Sequence, residues 1–146
     1  MLRPATLDDL PQLHGLAVSM VAESNFMPFG VKLERFNKFM SAMITHGFVV
    51  VSEKEGELVG AMIGDVMTPW YSDYLMGIEH AIYIKPEHQS GIVAARMIKQ
   101  WVQWCKAKGA IQCRAFVGTG NPAVCRLFVA MGFRQEHASY IFDLQE

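Results

Sequence analysis

Long apolar runs are missing from this 146-residue chain. Nowhere do about 18 apolar residues follow one another, so a membrane-spanning helix is not expected. The opening residues, Met-Leu-Arg-Pro-Ala-Thr, lack the apolar stretch of a signal peptide, and the expected setting is the cytoplasm. An excess of one charge is missing as well. The formal net charge is −1 and there is no basic run, which argues against a nucleic-acid or anionic-membrane surface. Cysteine is scarce: Cys105, Cys113 and Cys125 are odd in number and show no C-x-x-C spacing, so they are expected as buried, reduced thiols. The five histidines offer no H-x-x-x-H pair, and no metal site is expected. Without linker, repeat or low-complexity tract, residues 1–146 read as one domain.

What is abundant is bulk. The chain is 51% hydrophobic, with ten Met and nine Phe. Such residues make an adaptable core or an apolar surface hidden in an oligomer, and a homodimer is the expectation. Residues 2–5 read as a short strand. Thr6-Leu7-Asp8-Asp9 has the form of a capping box and opens a helix with Leu10, Leu13, Ala17, Met20 and Val21 on one face. A second helix spans about 32–46, with Leu33, Phe36, Phe39, Met40 and Met43 inward and Gly47 as its stop. "FVVVS" and "LVGAMIGDV" are strands joined by the charged turn "EKEGE". An aromatic loop, "MTPWYSDYLMG", leads to a strand over about 79–84, ended by Pro86. A helix follows over about 90–108, with Ala94, Ile98, Trp101, Val102 and Cys105 inward, then the strand "IQCRAFV". "NPAVCRLFVAMGF" is a short, sharply bounded helix: Asn121 caps it, Pro122 suits its first turn and Gly132 ends it. "FRQEH" and "ASYIFDL" read as a closing pair of strands. The order β-α-α-β-β-β-α-β-α-β-β gives an α+β fold, a mixed central sheet with helices on both faces.

Two strand-to-helix junctions suit an anion, because free amides and the helix dipole meet there. One is "IYIKPEHQSGIVAARMI"; the other is "FVGTGNPAV". Gly118, Gly120 and Ala123 in the second obey G-x-G-x-x-G/A, the dinucleotide fingerprint. That fingerprint belongs at the start of a βαβ unit, and too little chain follows for further parallel strands. A loop needing small residues explains the glycines equally well.

The element order, "YIKPEHQ…AARMI" and the segment from Asn121 to Phe133 together resemble the GNAT superfamily of N-acetyltransferases, over essentially the whole chain. In that family the junction reads Arg/Gln-x-x-Gly-x-Gly/Ala. Gln89 and Ala94 match its ends, while Ile92 stands where Gly is usual. The last segment matches in register through Asn121, Phe128, Gly132 and Phe133, although the family's aromatic at Phe128 is commonly Tyr. The resemblance implies transfer of an acetyl group from acetyl-CoA to a primary amine, by direct attack in a ternary complex. It places the cofactor against Gln89, Ser90, Gly91, Ile92, Val93, Ala94, Ala95, Asn121 and Phe128, with the pantetheine arm along the backbone of Ile82, Tyr83 and Ile84. A non-catalytic acyl-CoA-binding or interaction module of the same fold is the alternative.

Deprotonating an amine calls for a base. Glu79 and His80 are the candidates, at the start of the strand that carries Ile82 and Ile84. Simple alternation puts them on opposite faces, with His80 beside Ile82 and Ile84, and Glu79 beside Tyr83. A carboxylate among apolar residues would have its pKa raised toward that of a useful base. Trp70, Tyr74 and Phe26 are candidates to wall the acceptor site, as are Tyr71 and Phe29. The acceptor, a small molecule or a protein amine, is not legible from the chain.

Overall fold

The computed structural model describes residues 1–24, 30–117, 121–136 and 140–144. The candidates Phe26, Phe29, Gly118 and Gly120 lie outside them. A five-stranded sheet has the order β1-β2-β3-β4-β5. Its strands are β1 (Leu2–Pro4), β2 (Phe48–Lys54), β3 (Glu57–Met67), β4 (Met76–Ile84) and β5 (Gln112–Arg114). All neighbours are antiparallel except β4 and β5, which the helix α3 (Ile92–Ala107) joins as a parallel crossover. The β2–β3 hairpin is tight because Glu55 and Gly56 both take positive φ, 53° and 80°, matching the twist of the strands they connect.

Helices cover both faces, as the apolar periodicities require. On one face α1 (Leu10–Ala22) and α2 (Leu33–His46) bury Leu13, Leu16 and Met40 against Val49, Val51, Leu58 and Ala61. On the other, α3 buries Ala94, Met97, Ile98, Trp101 and Cys105 against Val50, Met62, Ile82 and Ile84. The short α4 (Pro122–Ala130) adds Phe128 to that second core. A fork-to-fork pair fixes the entry to α1: Arg3 Nη1 and Nη2 reach Asp9 Oδ2 and Oδ1 at 2.8 Å each, and the Thr6 amide also donates to Asp9 Oδ2.

Three expectations need correction. Among the described residues, neither Phe133–Glu136 nor Tyr140–Leu144 is in a strand, and β5 has β4 as its sheet neighbour. Phe133 is drawn inward instead: its amide donates to the Phe128 carbonyl at 3.0 Å and its ring stacks on Trp101 at 6.3 Å. The strand expected over "IQCRAFV" stops at Arg114, where it parts from β4. Of the three cysteines only Cys105 is buried; Cys113 is half-buried and Cys125 is exposed on α4. No helix among the described residues is long and apolar enough to cross a membrane.

Candidate functional site

The site grows out of an irregularity in β4. Its partners on β3 run Ile82 to Met62 and Ala81 to Ile63, but the next pair is Glu79 to Gly64. His80 is therefore an extra residue, a β-bulge, and it shifts the alternation of side chains by one. As a result Glu79, not His80, lies on the α3 face with Ile82 and Ile84. His80 is exposed, its ring edge-on to Phe39 at 5.2 Å, and Tyr83 faces α1 and α2. The opposite-face expectation holds for the pair, but its two members change places relative to the rest of the strand.

The bulge also marks where the sheet opens. β4 and β5 are paired through Met76, Gly77 and Ile78, opposite Gln112, Cys113 and Arg114. Past that point the ladder gives way to a side chain: the Phe116 amide donates to Glu79 Oε2 at 3.0 Å. Glu79 thus sits at the crotch of a fork between β4 and the segment that follows β5. It is 4% exposed, and burial pushes its pKa up to about 7 against the smaller downward pull of the Phe116 amide. The Trp101 indole crosses Gly64, the cross-strand neighbour of Glu79. Phe116 was not a sequence candidate. A contact between residues 37 apart in the chain leaves no local signal.

Backbone groups line the free side of the fork. The Lys85 amide donates to the Val59 carbonyl at 2.9 Å, so in this antiparallel ladder Lys85, Tyr83 and Ala81 turn their backbone toward β3. Ile82 and Ile84 turn theirs the other way, into the opening, while their side chains stay in the core. Tyr83 therefore offers no amide there. Its hydroxyl bonds to the Glu23 carboxylate on the far face. Gln89 lies beside the same edge, but its side-chain amide donates to the Ile84 carbonyl at 2.7 Å and thereby holds the junction in shape.

The junction is suited to an anion. Gly91 caps α3 with φ 82°, a left-handed conformation that glycine adopts without strain, and a Cβ there would meet nothing within 4 Å. The amides of Ile92, Val93 and Ala94 have no acceptor within the helix. The Ala95 amide, by contrast, is used by the Gly91 carbonyl at 3.0 Å. Ser90 is exposed and Ile92 is 68% exposed at this turn. Asn121 caps α4, accepting from the Ala123 amide at 2.9 Å. Phe128 is 5% exposed, with its ring edge-on to Phe133 at 5.0 Å.

The aromatic loop lies at the other end of β4 from this junction. Trp70 is 96% exposed against Tyr71, and the Tyr71 and Tyr74 hydroxyls share a hydrogen bond of 2.7 Å. These aromatics form a group of their own. An apolar hollow lies under α1 and α2, between Leu13, Met20, Phe36, Met40, Ile63 and Tyr83.

Solved structures of the same fold are numerous. A ribosomal-protein-alanine N-acetyltransferase from Brucella melitensis superimposes with a TM-score of 0.78 at 21% identity, covering 92% of this chain and 84% of that one. An aminoglycoside antibiotic 6'-N-acetyltransferase from Acinetobacter haemolyticus gives 0.74 at 13% identity, covering 100% and 99%. An aminoglycoside acetyltransferase from an uncultured soil metagenomic sample, in complex with sisomicin, gives 0.75 at 15%, covering 99% and 96%. At these identities the likeness is one of fold. Among curated proteins none matches the chain in sequence. The sequence profile of the acetyltransferase (GNAT) family matches residues 18–133, and the chain belongs to that family.

Proposed function

We propose that the protein transfers the acetyl group of acetyl-CoA to a primary amine, with Glu79 as the base at the fork. The observation that carries the reading is a carboxyl group 4% exposed, borne by β4 and hydrogen-bonded to the segment that follows β5, with a pKa near 7. Such a group is about half ionised at neutral pH, the condition in which a base accepts a proton most usefully.

The family generally uses acetyl-CoA, which supplies an activated thioester when bound. The chain's residues fit it. The first-turn amides of α3, opened by Gly91, suit the pyrophosphate. The outward backbone of Ile82 and the outward amide of Ile84, whose carbonyl already accepts from Gln89, suit the amide-rich arm, as an added strand would. Glu79 takes the proton from the attacking amine, directly or through a water, as the new C–N bond forms and the C–S bond breaks. A thiol pKa of about 8.5 lets the sulfur leave without a strong acid. That matters because Phe128 has no proton to give.

Asn121 and Phe128 are proposed to flank the thioester end, Phe128 through the edge of its buried ring. Phe26, Trp70 and Tyr74 remain proposed acceptor contacts, and His80 the proposed alternative base on the outer face. A second reading, a non-catalytic acyl-CoA-binding module, draws on Phe128 where the family commonly has Tyr and on Ile92 where it has Gly. Thiol release from acetyl-CoA with a panel of small amines, aminoglycosides and protein N-terminal peptides decides between them. Amine-dependent release supports the enzyme. A thermal shift with acetyl-CoA but no release from any amine supports the module.

A further inference from the structure

We propose that Cys113 and Cys105 form a peroxide-responsive thiol pair, which closes into an intramolecular disulfide tying the last turn of α3 to β5. The observation behind it is a gap. Gly77 pairs with Cys113 across the β4–β5 ladder. A Cβ on Gly77 would lie 2.5 Å from Cys105 Sγ, 3.1 Å from Cys113 Sγ and 3.3 Å from Cys105 Cβ. Both thiols therefore converge on one point, with no side chain between them, and glycine is the residue that leaves the point open.

The two sulfurs differ in the way a sequential reaction requires. Cys105 is fully buried, while Cys113 is half-buried on the edge strand. Interaction with Cys105 draws the Cys113 thiol below its ordinary pKa, and the same interaction with burial pushes the Cys105 thiol far up. The thiolate is the nucleophile, so Cys113 reacts first. Its thiolate attacks one oxygen of a hydroperoxide: the S–O bond forms, the O–O bond breaks, and the departing hydroxide or alkoxide takes up a proton. Cys105 then gives up its proton and attacks the sulfenic sulfur. The S–S bond forms, the S–O bond breaks, and the hydroxyl leaves as water with that proton. The sulfur pair loses two electrons and the peroxide gains them. A dithiol reductant reverses the step.

The crosslink would join the helix that begins at the Gly91 junction to the strand whose continuation, at Phe116, holds Glu79. It stands apart from the acetyl-transfer reading, since it is detected by mass. Exposed Cys125 on α4 is the internal control.

The test treats the whole protein with hydrogen peroxide and maps its peptides without reduction. The expected product is a monomer lighter by about 2 Da, with the Cys105 and Cys113 peptides joined and both thiols restored by dithiothreitol. In Cys105→Ala, trapping of Cys113 sulfenic acid by dimedone should rise severalfold over wild type. In Cys113→Ser, Cys105 should remain unlabelled. The proposal is overturned if wild-type Cys105 and Cys113 stay reduced while Cys125 oxidises, or if Cys113 runs on to sulfinic acid without the crosslink. Should a variant fail to fold, the wild-type map alone decides.

Discussion

A single carboxyl group concentrates the chemistry of this fork, and its burial has two measurable consequences. Glu79→Gln keeps an acceptor for the Phe116 amide but cannot take a proton. Turnover should fall by roughly 10²–10⁴-fold with little change in acetyl-CoA affinity. Wild-type kcat/KM should rise with pH through about 7 as Glu79 ionises, and that limb should vanish in the variant. Wild-type turnover in Glu79→Gln, with loss in His80→Ala, would move the role to His80. Stability should respond in the opposite sense. Unfolded Glu79 releases its proton near pH 4.5, whereas the folded protein holds it to about 7. Between those values the folded state binds more protons, so stability falls as pH rises across the window, by up to about 3 kcal/mol. Glu79→Gln should therefore melt higher than wild type at pH 8, and the gain should disappear below pH 4.5. An equal melting temperature at pH 8 would mean the carboxylate is better solvated than its 4% exposure indicates. Phe128 gives a sharper contrast with the family. Phe128→Tyr places a hydroxyl in a core site that is 5% exposed, beside Phe133, and should cost about 1–3 kcal/mol if the hydroxyl finds no partner. Unchanged stability with faster acetyl-CoA turnover would show instead that the ring borders the reacting sulfur.

At the scale of elements, the junction before α3 is a backbone device. Gly91→Glu should lose the rise in melting temperature that acetyl-CoA confers, because a side chain is strained at φ 82° and a carboxylate repels phosphate at the helix's positive end. A shift of wild-type size would remove the junction from the site. These helices were legible in the sequence because their periodicity and stops are local. Leu13, Met40, Ala94, Ile98 and Trp101 fall on inward faces as spacing dictates, and the Thr6–Asp9 cap forms. The placement of Glu79 was not legible. Two-residue alternation assigns it to the side of Tyr83, and only the extra residue at His80, set by the pairing of β4 with β3, reverses that. Nothing in "GIEHAIYI" announces a bulge. The end of β5 was illegible for a similar reason, since "IQCRAFV" alternates well past Arg114 and the fork is made by the neighbouring strand. Phe39 shows the converse: its spacing points inward, yet it is 40% exposed and meets His80.

At the scale of the whole molecule, the two edges of the sheet are finished differently. β1 is three residues long and carries Pro4, features that discourage pairing with another chain. β5 is equally short, but Ile111 and Phe116 at its two ends are 74% and 58% exposed, and in the last described segment Tyr140, Ile141, Phe142 and Leu144 are 72–91% exposed. Exposed large apolar side chains that gather into a patch ordinarily mark an association site. The homodimer expected from the Met and Phe content thus has candidate contacts in the 140–144 segment. Sedimentation equilibrium should give a defined dimer at micromolar concentration, and the paired change Ile141→Asp with Phe142→Asp should convert it to a monomer of unchanged helix content. Burying both residues against a partner would contribute about 2–3 kcal/mol each, enough that their loss lowers the association constant by two orders of magnitude or more. A wild-type monomer at every concentration would dismiss the dimer. A dimer indifferent to both substitutions would place the interface elsewhere, with the 140–144 segment left facing solvent.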